Sequence, residues 1–100
     1  MSFKLGQTLA SYAINQKMKN RRFLLFIQKS LQRHFTCDWG DCCKVDKKVN
    51  DESLKMGMRL FSVYKIPEIL NHIDHQGNDK IWIITEADRS ATTIIYPSEY

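Results

Sequence analysis

The side chains with the widest chemical range in this 100-residue chain crowd into one short stretch, Arg33, His34, Asp38, Trp39 and Asp41. A histidine titrates near neutrality and a carboxylate within reach can orient it, so His34 with Asp38 or Asp41 has the parts of a general acid–base pair. Arg89, in the segment T-E-A-D-R-S, would join them as a donor to a phosphate or carboxylate, or would pair with Asp38 or Asp41. If His34, Asp38, Asp41 and Arg89 converge, they describe a small hydrolase or transferase. The same residues also have a structural explanation. In it Asp41 caps a following helix, Asp38 bonds loop amides, Trp39 fills the core, and His34 ends a helix where its charge suits the dipole. Loop aspartates beside helix starts usually serve the backbone, so the structural explanation is preferred. The chain has no glycine-rich phosphate loop, G-x-S-x-G elbow or helix with paired metal-binding histidines, which argues against a stand-alone enzyme.

A zinc site built from His34, Cys37, Cys42 and Cys43 has the spacing H-x2-C-x4-C-C. That spacing fits no common closed site, and neighbouring cysteines rarely reach one tetrahedral ion together. No metal and no cofactor is expected. His72, Asp74 and His75 read as solvent-exposed residues of a loop. Three crowded cysteines make a poor disulfide framework, so reduced thiols and a cytoplasmic location are expected.

Charge is distributed unevenly. Residues 1–37 carry seven basic side chains and no acid, whereas eight basic and eleven acidic residues follow. Lys17, Lys19, Arg21, Arg22, Lys29 and Arg33 would therefore form a surface for nucleic-acid phosphates or for an acidic protein. No groove-reading motif accompanies them, so nucleic-acid binding would be independent of sequence. The longest apolar run, Phe23 to Ile27, is far too short to span a membrane, and the N-terminus lacks an apolar signal region.

The elements that must position these groups are legible from patterning. Residues 1–100 read as one α+β domain with three N-terminal helices packed on a C-terminal three-stranded antiparallel meander, preceded by a short edge strand within Leu5 to Ala10. Ser11 would cap a first helix running through Met18. Asn20 would cap a second, with Leu24, Ile27, Leu31 and Phe35 as its buried stripe and Phe23 and Phe26 widening it. A third helix would run from Cys42 to Met56, with Gly57 as its C′ residue. Its buried stripe would be Val45, Val49 and Met56, and its solvated side would carry the pairs Lys47–Asp51, Lys48–Glu52 and Asp51–Lys55. The strands would be Arg59 to Ile66, Ile81 to Thr85 and Thr92 to Tyr96, with a helical turn packing part of the long connection after Pro67. The strand Ile81 to Thr85 is apolar on both faces and belongs inside the sheet. The turn at Asp88 would be of type I, its carboxylate accepting from nearby amides, and Thr92 and Thr93 fit strand propensity. Helices stacked on one face would leave the other face of the sheet apolar, a surface suited to a homodimer.

The segments R-H-F-T-C-D-W-G-D (Arg33 to Asp41), D-K-K-V-N-D (Asp46 to Asp51), M-R-L-F-S-V-Y (Met58 to Tyr64) and K-I-W-I-I-T-E-A-D-R-S-A-T-T-I-I-Y-P-S-E-Y (Lys80 to Tyr100) resemble the small bacterial proteins labelled "plasmid-related". These are carried on plasmids, prophages and integrative elements and are often mislabelled as restriction-modification subunits. The resemblance runs from about Leu5 to the C-terminus. It carries Arg33, His34, Asp38, Trp39, Gly40 and Asp41 in the first segment, Asp46 and Asn50 in the second, and Arg59 and Tyr64 in the third. In the last it carries Trp82, Thr85, Glu86, Asp88, Arg89, Thr92, Thr93, Glu99 and Tyr100. The family has no established activity, so the resemblance implies only a bacterial, cytoplasmic accessory protein of a mobile element. Two departures stand out. Cys37 occupies a position where the family usually has glycine, which argues against a tight left-handed backbone there, and Pro67 to Asn78 exceeds the usual short turn. The expectation from all of this is a non-catalytic binding or regulatory role through a protein partner, in host defence or plasmid maintenance. Nucleic-acid binding by the basic half is the alternative, and the small enzyme is the third reading.

Overall fold

Strands β2 (Leu60–Lys65), β3 (Lys80–Thr85) and β4 (Ala91–Ile95) pair in chain order as the expected antiparallel meander in the computed structural model, which describes residues 2–100. Strand β1 (Gln7–Ala10) joins the outside of β4 in parallel, giving a four-stranded mixed sheet of order β1-β4-β3-β2. The interior position of β3 follows from its sequence. Ile81 and Ile83 are fully buried on one face, and Ile84 is nearly so on the other. No helix of the described residues is long and apolar enough to cross a membrane.

Helices α1 (Tyr12–Lys17) and α2 (Arg21–Phe35) begin at the expected caps. The Ile14 amide donates to Ser11 Oγ at 3.2 Å and the Phe23 amide to Asn20 Oδ1 at 3.1 Å. Both helices cover one face of the sheet, where Ile14, Phe23 and Ile27 pack with Tyr64, Ile81, Ile83, Ile94 and Tyr96. The buried stripe of α2 departs from expectation by one residue. It consists of Phe23, Ile27, Ser30 and His34, while Phe35 is exposed. Apolar content alone centred the predicted stripe on Leu24, Leu31 and Phe35, but the helix turns toward the sheet a side that includes Ser30 and His34, the latter hydrogen-bonded to Ser62 and Thr85 of the sheet.

Helix α3 (Lys44–Met56) ends at Gly57, left-handed at φ 67°, as expected. Its start and orientation do not follow the expectation. Cys43, not Asp41, occupies the cap position, and no side chain bonds the first turn. The helix faces inward with Asn50 and Ser53, while Val45, Val49 and Met56 are 70%, 52% and 75% exposed. None of the three expected lysine–acid pairs closes to an ion pair among the described residues, and Asp51 instead accepts the Trp39 indole N–H at 2.9 Å.

The reason for this orientation lies at the outer edge of β2, whose unpaired backbone groups must be satisfied or shielded. The Asn50 amide does so at Phe61, donating to its carbonyl at 2.6 Å and accepting from its amide at 3.0 Å. Two residues on, Val63 accepts from the Asp41 amide and donates to the Trp39 carbonyl. Two further on, the Lys65 amide donates to the Asp41 carboxylate at 2.8 Å. Gly40 makes this possible: its φ is 72°, and a Cβ there would stand 2.0 Å from the Val63 carbonyl oxygen. The long connection after β2 contains the expected helical turn, Glu68–Leu70, with Ile66 and Leu70 buried.

Candidate functional site

The constellation with the strongest chemical appearance is taken apart by the fold. His34 is fully buried against the sheet. Its Nε2 lies 2.9 Å from Thr85 Oγ1, Thr85 Oγ1 lies 2.8 Å from Thr92 Oγ1, and Thr92 donates to the Leu5 carbonyl at 2.7 Å. A carbonyl can only accept, which fixes the direction of the whole chain: Thr92 donates to Leu5, Thr85 to Thr92, and His34 Nε2–H to Thr85. In the neutral ring Nδ1 is then the acceptor of the Ser62 hydroxyl proton. Burial, assisted by the Arg89 charge, pushes the His34 pKa down to about 4, which leaves the imidazole neutral at neutral pH. It does not end the helix as a cation, and both nitrogens are occupied.

Asp38 and Asp41 turn away from His34. Asp38 receives a two-pronged contact from Arg33 at 2.7 and 3.1 Å and accepts from the Gly40 amide at 3.1 Å. The Arg33 hydrogen bond is the main cause that holds the Asp38 carboxyl below its usual pKa. Arg89 meets neither aspartate. Its guanidinium donates to the carbonyls of Met58 at 2.7 Å, Glu86 at 3.0 Å and Ala87 at 3.2 Å, fastening the β3–β4 turn to the end of α3. The Phe3 ring neighbours both it and His34, its centroid 5.8 Å from the guanidinium and 5.2 Å from the imidazole. Asp88 accepts from the Ser90 amide as the turn chemistry requires. Cys42 is buried beside the Phe61 carbonyl, Cys43 is exposed, and among the described residues no three His, Cys, Asp or Glu side chains form a metal-holding group. His75, expected in solvent, is buried and bonded to the Tyr96 hydroxyl at 2.7 Å and the Leu70 carbonyl at 2.9 Å. Cys37 does adopt the left-handed backbone, at φ 67°, as α2 gives way to the loop.

The basic residues fare differently. Arg33 is spent on Asp38, but Lys17, Lys19, Arg21, Arg22 and Lys29 have no carboxylate within 4 Å among the described residues. Arg21 and Arg22 stand at the start of α2, which has no acid in its first turn, where the helix dipole opposes positive charge. On α2, Arg22 and Lys29 fall within about 20° of one another, so they share one flank.

The opposite face of the sheet, expected to be left apolar, carries a surface whose members the sequence alone did not bring together. Alternation puts Phe61 and Trp82 on the side away from α1 and α2. Their rings meet edge to face at 4.9 Å and 72°, and Tyr100 meets Trp82 likewise at 5.5 Å and 70°. With Val49 and Asn50 of α3 they line an open groove of about 370 Å³, whose rim carries Asp46 and Arg59. Arg59 is engaged: it donates to the Tyr100 hydroxyl at 2.9 Å and approaches Glu86 at 3.9 Å. The exposed stripe Val45, Val49 and Met56 continues the groove along α3. No family model, no curated protein and no solved structure matches the chain.

Proposed function

We propose that this protein is a non-catalytic binding or regulatory protein that works through a protein partner inside the bacterial cell, as an accessory of a mobile element in line with its resemblance to the plasmid-related proteins. One observation carries the reading. The aromatic groove meets the exposed stripe Val45, Val49 and Met56 at Val49, and exposed apolar surface of this kind marks interaction sites. The engagement of His34, Asp38 and Arg89 in structural bonds supports the non-catalytic half. The test is affinity capture from host extract on the wild-type protein and on Val49→Asp and Trp82→Ala. A partner held by the first and lost by both variants is expected, and an empty wild-type capture counts against the reading.

The unpaired cations favour a second reading, in which Lys17, Lys19, Arg21, Arg22 and Lys29 hold nucleic-acid phosphates. Such binding must weaken steeply between about 50 and 200 mM salt. Fluorescence anisotropy with DNA and RNA, repeated on the doubly substituted Arg21→Glu, Arg22→Glu protein, decides it; no binding at low salt removes this reading.

A further inference from the structure

We propose that the groove receives an extended, proline-containing peptide segment carrying a basic residue. The inference rests on the protein-partner reading and names the partner's chemistry. Three features of the groove point to that occupant. First, Phe61, Trp82 and Tyr100 line it as a continuous aromatic wall, with Trp82 in edge-to-face contact with each of the other two. Grooves lined by aromatic rings accept pyrrolidine rings, and a polyproline II segment presents those rings already ordered, with little entropy left to lose. Second, the Trp82 indole N–H has no acceptor among the described residues, while the Trp39 indole is bonded to Asp51. A polyproline II backbone leaves its carbonyls unpaired, and these are the acceptors such a donor needs. Third, the rim charge is complementary to a cation. Asp46 has no basic partner within 4 Å among the described residues, whereas Arg59 is occupied by Tyr100 and Glu86. A free carboxylate beside aromatic faces favours an arginine or lysine and opposes a phosphate backbone. Addition of a strand to the neighbouring edge is closed off, because Asn50 and the 39–41 segment already satisfy β2.

The test follows the two indole N–H signals by nitrogen–proton NMR in the full chain, with Trp39 as the internal control. The probe is a synthetic peptide of about ten residues with prolines at polyproline II spacing and one terminal arginine. Saturable movement of the Trp82 signal, with Trp39 unmoved, is expected. Asp46→Asn, or glutamate in place of the peptide arginine, should weaken binding about tenfold, the worth of one charge-assisted contact. Trp82→Phe, which keeps an apolar ring and loses the donor, should weaken it as well. The proposal is overturned if the Trp82 signal ignores the peptide or responds equally to a version with alanines for prolines. It is also overturned if that signal answers instead to a single-stranded oligonucleotide or to dilution of the protein alone, as a second copy in the groove would require. A displayed library of random peptides separates the two levels of inference. Proline-free binders that move the Trp82 signal overturn the proline assignment and leave the protein-partner reading standing; no binders, together with an empty capture from host extract, overturn both.

Discussion

The two faces of the sheet treat polar and apolar groups in opposite ways. Under α1 and α2 the face is closed, and it buries a directed chain of hydrogen bonds from Ser62 through His34, Thr85 and Thr92 to the Leu5 carbonyl. The other face leaves Trp82 and Phe61 only partly buried and turns the apolar stripe of α3 to solvent. In this chain His34, Asp38, Asp41 and Arg89 are spent on holding the fold together, whereas ordinary apolar residues are left to solvent. A buried polar network with every donor paired specifies register, since sliding β2 or β4 would strand several of its members at once. An exposed apolar surface does nothing for the fold.

That contrast can be broken most severely at the closed face. His34→Ala removes a buried ring and leaves the Ser62 and Thr85 hydroxyls without their partner, so a loss of about 4 kcal/mol in urea unfolding is expected. A loss below about 1 kcal/mol would show the network to be dispensable. The next effect is in acid. Unfolded His34 protonates near its ordinary 6.5 and the folded residue only at about 4, so between these values the unfolded chain holds more protons. Its contribution is complete above pH 6.5 and declines by about 3 kcal/mol on the way down to pH 4. Urea midpoints measured across that window should slope in the wild type and flatten in His34→Gln. A smaller gain is expected from Cys37→Gly. Relief of the left-handed backbone at φ 67° is worth about 1 kcal/mol, a rise of several degrees in Tm. On the open face the expected change in stability is least. Val49→Asp and Met56→Lys should alter unfolding by under about 0.5 kcal/mol while abolishing partner capture. A large stability loss from either would mean that the stripe supports the fold after all.

Much of this architecture was legible in the sequence. Ser11 and Asn20 cap the helices they were expected to cap, Gly57 ends α3, and the β-branched runs of the last twenty-one residues form the inner strands. Those features are local: a cap, a left-handed stop or a strand preference depends on a few neighbouring residues and needs nothing from across the chain. The orientation of α3 was not legible, because its apolar stripe suggested a buried side that tertiary structure overruled. Asn50 satisfies the β2 edge only if it faces inward, and that demand comes from a strand eleven residues away. The role of Asp41 was missed for the same reason, since its partner is the Lys65 amide and not the start of α3.

Residue patterning alone settled which segments become helix or strand, that β3 lies inside the sheet, and that the first third of the chain is net positive. It took the packed fold to settle which side each helix turns inward, that His34 is a neutral link in a buried chain, that Arg89 grips carbonyls, and that Phe61, Trp82 and Tyr100 share one groove. The physical reason is the range of the forces. Backbone preferences act between residues close in sequence, whereas burial and the pairing of hydrogen-bond groups are settled among residues that only the completed fold brings together.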